Sequence, residues 1–140
     1  MEHEPEPIAD DELLYRRVSV LSGWYDPAAD ELRAQAFAPH RANDTTGISV
    51  WRGKYKSLEE AARGRPGKSY YVAILNAGEV RQAGIDVVPQ PHLPSGYDPS
   101  HAELPNLNSS NRQATETLER QRVLVSLCRT IEGPYETPSE

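Results

Sequence analysis

Four histidines, a single cysteine and a scatter of charged side chains are the raw material for chemistry in this chain of 140 residues. His3, His40, His92 and His101 never fall at the four-residue helical spacing that lets two imidazoles share a zinc ion. Loops could bring His92, Asp98, His101 and Glu103 together, but such a grouping arises from composition alone, so these residues are read as a solvated loop and no metal ligand is assigned. Cys128 has no partner for an internal disulfide or a thiolate zinc site, and the apolar run before it, Val123 to Leu127, predicts a small buried hydrophobe. Gly67-Lys68-Ser69 has the ending of a phosphate-binding loop. Ala62 stands where the earlier glycine must be, and the order helix, loop, strand reverses the strand, loop, helix that the mechanism needs, so this is a turn.

Two other patterns carry more. Residues 52 to 68 hold Arg52, Lys54, Lys56, Arg63, Arg65 and Lys68 against Glu59 and Glu60, with Trp51 and Tyr55 interleaved. Cations for phosphates and aromatics for bases are the ingredients of RNA or phosphate binding, although a net acidic chain gains little long-range steering toward polyanions. The second pattern is an order along the chain: an arginine in the first strand, Arg16 or Arg17, a serine in a later strand, Ser49, and a late acid, Glu103. It resembles the order of motifs in enzymes that transfer ADP-ribose from NAD. The resemblance implies that an arginine grips the dinucleotide, a hydroxyl positions the ribose, and a glutamate stabilises an oxocarbenium-like transition state. NAD is the cofactor under that alternative and none is expected otherwise.

Several elements must position these residues. Leu13 to Leu21 is rich in β-branched and aromatic side chains and reads as a strand whose two arginines leave from opposite faces. Asp26-Pro27 suits a helix start, while Leu32, Ala34 and Ala36 alternate as in a strand, so residues 26–37 stay open between the two. Ile48 to Trp51 alternates as a half-buried strand, and Tyr70 to Leu75 reads as the central one. Ser57 with Glu60, and Asn76 with Glu79, match helix-capping pairs that predict two short helices. Ile85 to Val88 predicts another strand. Five prolines between Pro89 and Pro105 predict a long extended loop, which offers a partner a preformed surface. The last element is expected to be an amphipathic helix from about Ser110 to Thr130, presenting Ala114, Leu118, Val125 and Cys128 to a sheet, with Leu124, Leu127 and Ile131 widening that face.

The balance of 15 basic and 21 acidic residues gives a formal charge of −6. The excess lies at the ends, so residues 1–12 and 132–140 are expected as acidic tails, the first disordered, around one domain over 13–131. No apolar run approaches the length of a membrane span, and the acidic, proline-broken start does not look like a secretory signal; a cytoplasmic protein is expected. Strands outnumber helices without regular βαβ alternation, which predicts an α+β fold on a curved, mainly antiparallel sheet.

Beyond these residues, the blocks Leu14-Tyr15-Arg16-Arg17-Val18, Ala36-Phe37, Gly47-Ile48-Ser49-Val50, Ala77-Gly78-Glu79-Val80-Arg81 leading to Gly84-Ile85, and His101-Ala102-Glu103-Leu104 resemble a group of small bacterial proteins that share them over residues 13 to 108. That group has no established activity, so the resemblance implies a bacterial cytoplasmic setting and no reaction. It also implies strand at Ala34 to Phe37 and draws attention to His101 and Glu103. The leading expectation is therefore an accessory or protein-interaction domain without a catalytic centre. Its partner is expected to be a protein rather than nucleic acid or a membrane, with Trp51, Arg52, Lys54, Tyr55 and His101 as candidate binding residues. ADP-ribosyl transfer through Arg16, Arg17, Ser49 and Glu103 is the alternative, and RNA or phosphate binding through residues 52–68 a weaker one.

Overall fold

In a computed structural model that describes residues 6–139, the chain forms ten strands and three α-helices in the following order. These are β1 (Leu13–Ser19), β2 (Tyr25–Asp26), β3 (Glu31–Leu32), β4 (Ile48–Arg52), α1 (Leu58–Ala61), β5 (Ser69–Asn76), α2 (Ala77–Gln82), β6 (Val88–Pro89), β7 (His92–Leu93), β8 (Gly96–Tyr97), β9 (His101–Leu104), α3 (Thr115–Leu127) and β10 (Thr130–Glu136). Six strands make one open antiparallel sheet in the order β10-β5-β1-β4-β9-β6, and β2-β3 and β7-β8 are separate hairpins. The fold class is α+β. Among the described residues no helix is long and apolar enough to cross a membrane.

Apolar residues on both faces of β1 and β5 bury the middle of the sheet. Leu14, Val18, Tyr71, Ala73 and Leu75 point to one side, with Ile48, Val50, Ala102 and Leu104, and meet Phe37, Val80, Ile85 and Leu124. Tyr15, Tyr70 and Val72 point to the other, where Ala61 and Ala62 of the α1 region cover them. The first side is the principal core. The second is only partly covered: Trp51, Leu58, Ile74 and Tyr135 on it are half-buried.

β1 pairs with β5 along its whole length but with β4 only at Leu14 and Tyr15. Where the two strands part, the side chain of Arg16 takes over the ladder's role. Its Nη1 donates to the Ser49 carbonyl at 2.8 Å and its Nε to the Ala36 carbonyl at 3.0 Å, satisfying acceptors that would otherwise be stranded between strands.

Both expected capping motifs form. Ser57 Oγ accepts from the Glu60 amide while Glu60 accepts from the Ser57 amide, and Asn76 Oδ1 accepts from the Glu79 amide. Elsewhere the structure departs from expectation. Residues 1–5 of the expected tail lie outside the described residues, but residues 6–12 pack on the body. Ile8 is buried in the core, and Glu12 binds Arg52. The C-terminal tail is also built in, because β10 covers the edge of β5 through Glu136. Residues 26–37 are neither one helix nor a strand at Ala34 to Phe37. A β2-β3 hairpin turns at Asp30 (φ 51°), and Ala34–Phe37 is a 3-10 turn that plugs Ala36 and Phe37 into the core.

The proline-rich stretch is not one loop either. β9 lies within the sheet between β4 and β6, since Pro99 and Pro105 flank it without entering it, and Pro89 sits on the two-residue edge strand β6. The strand expected at Ile85 to Val88 shrinks to β6. The last helix runs over Thr115–Leu127 and buries Thr117, Gln121 and Leu124, leaving Leu118 exposed. Cys128 is partly buried beside the principal core, with Sγ 3.5 Å from the Thr130 carbonyl.

Candidate functional site

Cross-strand partners in a sheet point to the same side, so register fixes which polar residues share a surface. Ser49 lies opposite Glu103 and Trp51 opposite His101 across β4-β9, and Tyr15 lies opposite Trp51 across β1-β4. Arg17, two residues beyond Tyr15, faces the same way. Arg17, Ser49, Trp51, His101 and Glu103 therefore gather on the partly covered face, although 86 residues of chain separate the first from the last. Strand alternation alone brings them together.

Their contacts are specific. His101 Nδ1 is 2.7 Å from the Gln90 carbonyl and Nε2 is 2.9 Å from Ser49 Oγ. A carbonyl only accepts, so Nδ1 carries the proton, and a neutral ring then accepts from the Ser49 hydroxyl at Nε2. This is the arrangement of a hydroxyl, a base and an orienting carbonyl. Glu103, opposite Ser49, accepts from Thr46 Oγ1 at 2.8 Å. Trp51 meets the His101 ring edge-on at 5.0 Å.

Two cations frame the indole. Lys56 Nζ is 4.5 Å and the Arg17 guanidinium 5.8 Å from its centroid, and the same guanidinium is 5.5 Å from the Tyr70 ring. Arg17 also donates to the Arg63 carbonyl, and burial draws its pKa down because water is removed from the charge. Asp98, 3.9 Å from Lys56, has two opposing influences. Burial pushes its pKa up, but hydrogen bonds from the Ser100 hydroxyl and amide and the charge of Lys56 hold it below the usual carboxylate value.

The geometry separates the remaining sequence candidates. Arg16 points to the opposite face, toward Asp44, and burial lowers its pKa. Arg52 was expected to face a ligand but is fully buried. Its Nε and Nη2 reach the two Glu12 oxygens at 2.7 and 2.9 Å, and Nη1 reaches the Glu6 carbonyl at 2.7 Å. It is a clamp for the N-terminal segment. Lys54 pairs with Glu6 at the surface, and the exposed Tyr55 ring stacks under Arg52. His92 lies against Tyr97 in the β7-β8 hairpin, and no group of three or more potential metal ligands occurs among the described residues.

Thr46 and Gln90 also belong to the site and were not singled out from sequence, and Lys56 was named only as one of the cations of residues 52–68. A backbone carbonyl such as that of Gln90 leaves no trace in residue type, and Lys56 is one lysine among several in its segment. Comparison of the chain with protein-family models, with curated proteins and with solved structures found no match.

Proposed function

We propose that the protein is a non-catalytic binding domain that recognises an acidic segment of a partner protein through the Arg17-Trp51-Lys56 surface. The observation that carries this reading is the cation-aromatic cluster itself. An indole held between an ammonium and a guanidinium presents apolar area and positive charge together, and Arg17 has no carboxylate of its own among the described residues. The neighbouring groups that chemistry would need are engaged elsewhere. His101 is 3% exposed with both nitrogens bonded, and Glu103 is 8% exposed with its carboxylate bonded to Thr46. A base or acid so placed holds the surface in shape and has little contact with a substrate.

The test is affinity capture from native lysate with the wild-type chain and with Trp51→Ala and Lys56→Glu side by side. A partner recovered by the wild type, lost by both variants and released by moderate salt supports the reading. Failure to recover any protein above background in repeated experiments overturns it. The same salt series with a labelled RNA oligonucleotide checks the charge run over residues 52–68.

A second reading, ADP-ribosyl transfer, is favoured by one observation: Arg17, Ser49 and Glu103 share a face, with His101 beside them. NAD would then raise the melting temperature, and Glu103→Gln would abolish the rise. No shift at millimolar NAD removes this reading.

A further inference from the structure

On the opposite side of the sheet from Trp51, an open cleft of about 480 Å³ lies between Arg16, Trp24, His40, Arg41 and Arg112. Three guanidinium groups and one carboxylate, that of Asp44, line it. We propose that this cleft binds a phosphate monoester, its phosphate held by Arg16, Arg41 and Arg112 and its organic body laid against Trp24 and Pro39.

The charge arrangement is the first ground. Arg16 is partly buried, and its two hydrogen bonds go to neutral carbonyl oxygens, those of Ala36 and Ser49. Three of its five N–H groups have no protein acceptor among the described residues. Arg41 and Arg112 make no hydrogen bond or ion pair among those residues. Arg112 is nonetheless partly buried. Cations withdrawn from water without an anion are costly, and a phosphate dianion that fits the guanidinium fork in two places relieves that cost.

The carboxylate at hand does not serve as the missing anion. Asp44 Oδ2 accepts from the His40 amide at 2.6 Å, closing its own loop, and Asp44 forms no ion pair with any of the three arginines. Burial lowers the Arg16 pKa in spite of the Asp44 charge nearby, consistent with a cation short of partners.

The second ground is preorganisation. The loop from His40 to Asp44 is pinned internally, because His40 Nδ1 accepts from the Ala42 and Asn43 amides at 3.1 and 3.2 Å. The Ser109 amide donates to the Asp44 carbonyl at 2.9 Å and so ties this wall to the segment that carries Arg112. The Arg41 and Arg112 walls are joined before any ligand arrives, which reduces the ordering cost of binding. Trp24, 37% exposed, supplies an apolar and stackable surface at the rim.

The experiment is thermal denaturation and calorimetric titration of the full chain with inorganic phosphate, adenosine 5′-monophosphate and adenosine as probes, against sodium chloride at matched ionic strength. Adenosine monophosphate should raise the melting midpoint by roughly 3 °C or more when well above its Kd, inorganic phosphate less, and adenosine and chloride not at all. Arg41→Gln alters an exposed residue and should weaken adenosine monophosphate binding about tenfold without changing the midpoint of the unliganded protein. Arg41→Gln/Arg112→Gln should abolish it. Absence of a shift with either phosphate, or equal shifts in the wild type and the arginine variants, overturns the site. Inorganic phosphate acting as strongly as the monoester overturns the role given to Trp24.

Discussion

Arg52 and Glu12 form a two-pronged ion pair at 2.7 and 2.9 Å in which the guanidinium is fully buried and the carboxylate side chain is only 7% exposed. This pair, together with the Arg52 bonds to the Glu6 and Pro7 carbonyls, fastens the N-terminal segment over the end of β4 and seats Ile8 in the core. The hydrogen bonds that Arg52 donates to Glu12 raise the Arg52 pKa. Glu12→Gln leaves that buried cation without its counter-charge and is expected to cost about 3–5 kcal/mol, because the desolvation cost persists when the compensating charge is gone. Urea denaturation of the two proteins measures it. A loss below about 1 kcal/mol, the scale of an exposed pair, would show that Arg52 has other compensation.

Ser49 and His101 separate a structural from a reactive role in one substitution. If the hydroxyl does no more than satisfy Nε2, Ser49→Ala costs about 1 kcal/mol of stability and leaves partner capture intact. Restoring an acceptable donor with Ser49→Thr should recover part of that loss. A capture defect without a stability defect would move Ser49 into the recognition surface itself.

Tyr25 donates its hydroxyl to Asp30 Oδ1 at 2.7 Å, and this bond, followed by burial and the Asp30 charge, raises its pKa to about 12. The neutral phenol is therefore favoured in the folded chain. The stabilisation is fully present below the unfolded value near pH 10 and is lost as pH rises through about 12. Ultraviolet titration of the phenolate should show a late ionisation near pH 12 from Tyr25. Asp30→Gly tolerates the φ of 51° at this turn and removes the acceptor, so the pKa of Tyr25 should fall back toward the ordinary phenol value. If it stays high, the shift has a source other than Asp30.

What could be read from residue order was governed by local chemistry. β1, β4 and β5 announce themselves by β-branched and aromatic content, and Ser57 and Asn76 by side-chain capping, because both signals act within a few residues. β9 was hidden by five prolines, yet a proline excludes a central strand only where it occupies a laddered position, and none lies within His101–Leu104. The gathering of Ser49, Trp51, His101 and Glu103 depends on β4-β9 register, which connects segments some 50 residues apart and has no local signal. The clamp role of Arg52 was hidden for the same reason, since its partner Glu12 stood in what composition described as a tail.

The helix face was missed for a different reason, and it yields a sharper expectation. Hydrophobic periodicity favours Ala114, Leu118 and Val125 with Leu124 at the margin, but α3 buries Thr117 and Gln121 with Leu124, at spacings of four and three along one stripe. Two of those three are polar. Thr117 Oγ1 and Gln121 Oε1 are buried with no hydrogen-bond partner among the described residues. An orphaned buried oxygen costs about 1–3 kcal/mol, whereas an apolar group of the same shape costs nothing in that respect. Thr117→Val keeps the branching and volume while removing the orphan, at a small propensity cost for a residue that is β-branched before and after. The expected result is a gain of about 1 kcal/mol, seen as a rise of roughly 3–5 °C in the melting midpoint. Gln121→Met should act in the same direction, and because the two residues are neighbours on one face their effects need not add. A fall in midpoint for Thr117→Val would mean that the hydroxyl is satisfied in solution, with an ordered water between Thr117 and Gln121 the first place to look.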